Sequence, residues 1–266
     1  QIYQGAWNPV SGFSDTYSNQ IWLNLYDPAV FSHPFTGKTI PIRTNWQVEN
    51  FGSDEKITVP EDAILWNIDT QRWENVGVAS EATSKITFDL ILGNWHHEQR
   101  MDMNDILYSL YFLQEWGSEQ QESDDTYDAE YSPQAVQNVK TLVGIKPIDD
   151  DTVEVYVDYW HFDEAEIAAW AAPWSSMPWE IVSASEDAVL DGKVSFSRSG
   201  SVSKSVKWLS LLIPNDANII KEQLIEFKET KYIPPSLQGS EHDWQYFEQR
   251  YDAAIKWIDE NEHAVI

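Results

Sequence analysis

The amino-acid sequence predicts a mixed α/β fold, and three features carry that expectation. In 86–92, Ile86, Phe88, Leu90 and Leu92 alternate with Thr87, Asp89 and Ile91, the period of a strand with one buried face. Elsewhere apolar residues recur at helical spacing: Ile106, Leu110 and Leu113; Ile220, Leu224 and Phe227; Phe247, Tyr251, Ile255 and Ile258. The two patterns interleave along the chain with no repeat of fixed period and no strict βαβ regularity, which points to a mixed sheet with helices.

From the N-terminus, 1–40 read as loop and short helix, with turn signals at Asn8-Pro9, Ser11-Gly12, Asp27-Pro28 and Thr36-Gly37. Segments 41–48 and 56–59 have the composition of short strands. The strand at 86–92 leads through an irregular stretch, 93–100, to a helix over 103–116. Asp102 is placed to cap that helix, Asp105 sits in its first turn where the helix dipole favours a carboxylate, and Gly117 stops it. Acidic residues fill 119–130, which reads as a solvated loop. Strands return at 141–146 and 152–158 around the Asp149-Asp150-Asp151 turn. In the second, Val153, Val155 and Val157 share one face while Thr152, Glu154 and Tyr156 share the other. Helices at 163–172 and 178–190 are split by Pro173, the Ser- and Gly-rich 192–205 reads as a mobile loop, and two amphipathic helices follow.

Composition excludes several functions. Forty-four acidic residues against seventeen basic ones, a net charge of -27, leave no clustered Lys and Arg for nucleic acid or for anionic lipid. Self-repulsion of that size favours a monomer. The absence of cysteine excludes a disulfide framework, a zinc–thiolate site and a cysteine nucleophile. No run of about eighteen apolar residues is present, so nothing spans a membrane as a helix. No secretory signal opens the chain, which starts at Gln1 rather than Met and suggests a processed or excised piece. Fourteen tryptophans and twelve tyrosines are the positive feature. About three quarters of the rings belong in the core by their interior preference. The remainder suit a ligand with apolar faces and polar edges, a sugar or a peptide.

The chain holds no Gly-x-Ser-x-Gly elbow, Walker loop or dinucleotide fingerprint, and no spacing marks out a pair of glycosidase carboxylates. Asp124, Asp125 and Asp128 lack the Gly and the terminal Glu of an EF-hand. His96-His97-Glu98 lacks the His-Glu-x-x-His spacing of a zinc site and reads as a polar surface turn whose neighbours face opposite ways. No metal or cofactor is expected. The candidate ligand groups are therefore aromatic. Helical periodicity cannot bury all of Trp170, Trp174 and Trp179 around Pro173 and Pro178, which makes Trp174 a candidate to face a cleft. Trp7 with Asn8, and Asp15 with Tyr17, lie in the looped N-terminal segment, where ligand groups concentrate on a rigid sheet.

Trp7-Asn8-Pro9, then Asp15 and Tyr17, Leu25-Tyr26-Asp27-Pro28, Pro34-x-Thr36-Gly37 and Trp46-x-Val48 together resemble the opening of the extracellular solute-binding proteins of family 5. These are the peptide-, nickel- and oligosaccharide-capturing receptors of ABC importers. The strand Ile86-Thr87-Phe88-Asp89-Leu90, then Asn94-Trp95-His96, then Met101 and Asp105-Ile106-Leu107-Tyr108-Ser109 is similar to the family's next stretch, and 149–157 to the hairpin after it. The likeness runs nearly end to end and is closest to archaeal members. One departure stands out: His97-Glu98-Gln99 replaces the family's usual Asp-Gly turn.

The resemblance implies a lobe of the type II periplasmic-binding-protein fold. It implies that residues 1–266 are a first-lobe fragment, with an extra subdomain at roughly 30–150, and that the second lobe is absent. It also implies a protein that is not an enzyme. Such a receptor captures peptides or oligosaccharides outside the cell, anchored through a segment outside this chain, and delivers them to the membrane permease subunits. By position, Trp7, Asn8 and Asp15, with Tyr17, would line the cleft, and Tyr108 would face it. Two other functions stay open beside this one: a glycan-processing enzyme and a free-standing carbohydrate-binding module.

Overall fold

A computed structural model describes residues 6–13, 15–119 and 124–266. In chain order, α1 (Thr16–Trp22) precedes a small hairpin of β1 (Val30–Ser32) and β2 (Thr39–Pro41). Then come β3 (Thr44–Asn50), β4 (Ile57–Thr58), β5 (Ile64–Asn67), β6 (Arg72–Asn75), β7 (Glu81–Ala82) and β8 (Ser84–Leu90). The long helix α2 (Met103–Gly117) and α3 (Ser132–Thr141) separate these from β9 (Leu142–Pro147) and β10 (Thr152–Val157). The rest is mostly helical: α4 (Glu164–Ala171), α5 (Trp179–Leu190), α6 (Arg198–Lys204), α7 (Pro214–Thr230) and α8 (Trp244–Asn261). A parallel pair, β11 (Val194–Ser195) and β12 (Lys207–Trp208), flanks α6. The fold is mixed α/β, and no helix is long and apolar enough to cross a membrane among the described residues.

The main sheet has the order β3-β8-β10-β9-β5-β6, antiparallel throughout. Its register aligns the apolar faces that the alternation predicts: Trp46 opposite Phe88 opposite Val153, and Val48 opposite Ile86 opposite Val155. This face carries Ile106 and Leu110 of α2 and Ile167, Ala168 and Ala171 of α4. On the other face Lys85 bridges Glu49 and Glu154 at 2.9 and 2.8 Å.

Helix α2 is buried on both sides, and this organises the molecule. Ile106 and Leu110 meet the sheet, while Tyr108, Tyr111, Phe112 and Trp116 face a second core built from α5, α7 and α8. Each such side chain contributes roughly 1.5–3 kcal/mol by leaving water, so a helix wetted on neither face is a major source of stability. Asp102 caps it with Asp105 in a reciprocal box, as the sequence predicts. Gly117 is required at its end for another reason: a Cβ there would meet Ala135 Cβ at 2.9 Å and Val139 Cγ2 at 3.0 Å, so α3 could not lie so close.

Several local expectations are corrected. Residues 192–205 are not a loop, because Ser197 Oγ accepts from Gly200 N at 3.0 Å and starts α6. Of the acidic loop, 120–123 lie outside the described residues, but Asp128 is buried rather than solvated: its Oδ1 accepts from the backbone N–H of Glu130 and Tyr131 at 2.9 and 3.2 Å. The tryptophans are less interior than expected. Only Trp66, Trp116 and Trp179 are fully buried, Trp160 is exposed, and the other ten straddle the surface.

Candidate functional site

Rings from five parts of the chain meet at one concavity of about 630 Å³. Trp7 is held in its wall by two backbone bonds: its N–H donates to Ser210 Oγ at 2.9 Å, and its carbonyl accepts from Leu211 N at 2.7 Å. Trp22, the last residue of α1, stacks on Tyr26 with ring centroids 5.4 Å apart. Trp174, in the α4–α5 connection, donates its indole N–H to Asp27 O at 2.8 Å, which ties that connection to the segment after α1. Trp257 of α8 donates to Val265 O at 3.0 Å and its ring lies 5.9 Å from His96. Trp95 comes from the turn between β8 and α2. The volume is of the size that small-molecule sites use, and half-buried indoles offer flat apolar faces with polar edges.

The polar groups in the wall are few. Asp27 is the only acidic side chain among the lining residues described, in a chain that carries forty-four acidic residues. Arg43, just before β3, places its Nε 3.3 Å from Asp27 Oδ2. Trp95 Nε1, Arg43 Nε and His263 Nδ1 are buried with no hydrogen-bond partner among the described residues. Burial pushes the Tyr26 hydroxyl well above its usual range, with the Asp27 charge adding to the effect, so it stays protonated.

Of the residues singled out in the sequence, Trp7 and Trp174 line this concavity and the others do not. Asn8 is buried beside it, where its Oδ1 accepts from Val10 N at 3.0 Å. Asp15 caps α1 by accepting from Ser18 N at 2.9 Å, and Tyr17 sits on that helix's exposed side. Tyr108 is corrected outright. It lies in the core and donates its hydroxyl to the buried Glu186, so it cannot face a cleft. Trp170 stacks on Tyr159 with centroids 4.6 Å apart and Trp179 is fully buried, which leaves Trp174 as the ring of that trio in the cleft. Sequence reasoning missed Trp22, Tyr26, Arg43, Trp95 and Trp257 as lining groups. One signal was present: Trp257 falls off the apolar stripe of α8, a large ring on a side that periodicity assigns to water.

The turn at 94–100 is a tight loop closed by a bridge between Asn94 and Arg100, with Trp95 N donating to Gln99 O at 2.8 Å. Glu98 adopts a φ of 69°, a left-handed conformation where a glycine would be unstrained. His96 and His97 do face opposite ways, but only His96 is at the surface. His97 is buried, its Nε2 2.5 Å from Glu180 Oε1, which corrects the surface-turn expectation.

That contact opens a buried charge network that fixes the turn. Arg250 of α8 donates to Glu180 Oε2 from Nε at 2.9 Å, to Asp105 Oδ1 from Nη2 at 2.7 Å, and to Arg100 O from Nη1 at 2.9 Å. Asp105 also accepts from Trp179 N at 3.0 Å. All three side chains are buried, and together they join α2, α5, α8 and the turn that carries Trp95 and His96. One arginine serves two carboxylates, so burial outweighs its attraction at Asp105, whose carboxyl is pushed up to about 6. At Glu180 burial acts the same way, but Arg250 and the second donor, His97, outweigh it and hold the carboxyl below its usual range.

Six residues along α5, Glu186 is buried with no cation. It accepts from Tyr108 and from Trp116 Nε1, the latter at 2.6 Å. Burial pushes it up to about 7, against the hydrogen bonds from Tyr108, Trp116 and Tyr111. It belongs to the core rather than to the concavity. Among the described residues no group of His, Asp and Glu is arranged to hold a metal ion. No family model matches the chain, and no curated protein matches it.

Proposed function

We propose that the chain is the ligand-capturing lobe of an extracytoplasmic solute receptor of an ABC importer, which binds a peptide or oligosaccharide without chemically altering it and delivers it to the permease. The observation that carries this is the aromatic concavity, where Trp7, Tyr26, Trp95 and Trp174 from loops converge with Trp22 of α1 and Trp257 of α8. The resemblance of the sequence motifs to those of family-5 receptors supports it from a separate direction. In this proposal the concavity is one wall of a cleft, and a second lobe closes over the ligand and excludes water.

Binding without turnover is the distinguishing property. Titration calorimetry with short peptides and with neutral and acidic oligosaccharides should give heat with at least one class at millimolar concentration. Chromatography of the same mixtures after prolonged incubation should return every probe intact. Hydrolysis products would replace the receptor with a processing enzyme, and the absence of heat with every probe would remove the binding function itself.

A further inference from the structure

We infer that the concavity takes an anionic ligand and that Arg43 is the residue that recognises its carboxylate. This rests on the proposed binding function and narrows it from amphipathic solutes in general to those that present a carboxylate beside an apolar or ring-shaped body.

The charge arrangement comes first. The chain carries -27 overall, yet Asp27 is the only acidic side chain among the described residues lining this concavity, and it stands next to Arg43. Long-range repulsion from the acidic surface is screened beyond about 8 Å at physiological ionic strength, whereas a ligand in the concavity meets Arg43 directly.

Arg43 is also under-used. Arg250 spends Nε, Nη1 and Nη2 on protein acceptors, and Arg72 spends Nε on Glu74. Arg43 makes no side-chain hydrogen bond among the described residues; its Nε is buried without an acceptor, and its one ionic neighbour is Asp27 Oδ2 at 3.3 Å. The Asp27 side chain is 65% exposed, so this pair is a surface ion pair, worth at most about 1 kcal/mol and readily exchanged. Trp95 Nε1 in the same wall is a buried donor with no acceptor, which carries a desolvation penalty that a ligand oxygen would relieve. A planar guanidinium with both Nη atoms free suits a carboxylate, which it can hold through two parallel bonds.

The backbone is shaped around this side chain. A Cβ on Gly93 would fall 2.5 Å from Arg43 Nη2 and 3.6 Å from Cζ, and nothing else lies nearer than Arg43 Nη1 at 4.0 Å. Gly93 therefore leaves room for the guanidinium, and a methyl group there would displace the head of Arg43 without touching the main chain.

Calorimetry with two matched pairs of probes tests the inference: the tripeptide Gly-Phe-Gly as free acid and as C-terminal amide, and trigalacturonate with and without methyl esterification. The free carboxylate of at least one pair should bind about tenfold more tightly than its neutral partner, the size of one charge-assisted hydrogen bond. Which pair shows the preference tells a peptide terminus from an acidic sugar. Arg43→Gln and Gly93→Ala should each bring the ratio of acid to neutral affinity close to one, and Asp27→Asn should increase it. Gly93→Ala changes no charged residue, so its effect separates displacement of Arg43 from loss of the fold. Equal binding of acid and neutral partners, or a preference that survives both Arg43→Gln and Gly93→Ala, overturns the role of Arg43 and leaves the receptor function standing. Silence from all four probes overturns both.

Discussion

Helix α5 carries two buried glutamates six residues apart, and they are kept in opposite ways. Glu180 near its N-terminus faces a cation: Arg250 and His97 hold it ionised. Glu186 near its C-terminus faces only neutral donors, Tyr108, Tyr111 and Trp116, and is pushed up to about 7. Burial is complete at both, so burial does not decide the charge; the partner does. The difference also divides the molecule by task. The ionised end braces the turn that presents Trp95 and His96 to the concavity, and the neutral end closes the aromatic core behind α2.

The strongest way to break this contrast is at its cation. Arg250→Ala leaves Asp105 buried without a counter-charge and Glu180 with His97 alone, and should destabilise the protein by about 3–5 kcal/mol, read as a shift of the urea unfolding midpoint. A loss below about 1 kcal/mol would mean that the paired end does not depend on its arginine.

Next in size is the pH response of the neutral end. Glu186 is raised in the folded state from an ordinary 4.5 to about 7, so the folded state binds the extra proton between those values. Stability from this group is therefore full below pH 4.5, falls as pH rises, and is lost above 7, a difference of roughly 3 kcal/mol. Glu180, held low, contributes in the opposite sense: its share is present above the usual carboxylate range and is lost as pH falls through its folded value. Glu186→Gln should remove the decline between pH 4.5 and 7, seen by subtracting its unfolding free energies from those of the wild type. Parallel pH curves for the two proteins would show that Glu186 ionises normally.

The smallest effect separates core from cleft. Tyr108→Phe removes one donor to Glu186 and should cost about 1–2 kcal/mol of stability while leaving ligand titrations unchanged. A drop in affinity with unchanged stability would return Tyr108 to the cleft.

What the sequence revealed follows from which interactions are periodic. The alternation in β8 and β10 predicts the apolar face of the sheet, and Asp102 with Asp105 predicts the start of α2, because each depends on neighbours a few residues away. The α6 segment was hidden because a single serine cap outweighs a Ser- and Gly-rich composition. Helix α2 shows one apolar face by periodicity, but its second, aromatic face emerges only in the fold; the resemblance assigns Tyr108 to a cleft because a tyrosine hydroxyl aimed at a buried glutamate looks in sequence like one aimed at a ligand. Trp7 and Trp174 were legible as rings in loops. The other lining groups were not: the concavity joins residue 7 to residue 266, and proximity over such separations is created by the fold.

The aromatic concavity as the place of capture is tested most directly through the fourteen indole N–H resonances of the folded protein. During titration with the carboxylate probe that gives the larger heat, the signals of Trp7, Trp22, Trp95, Trp174 and Trp257 should move together with one saturation midpoint. Those of Trp66, Trp116 and Trp179 in the core should stay fixed. Saturable shifts confined to other tryptophans, or a spectrum unmoved while heat is released, would place binding elsewhere and contradict the proposed site.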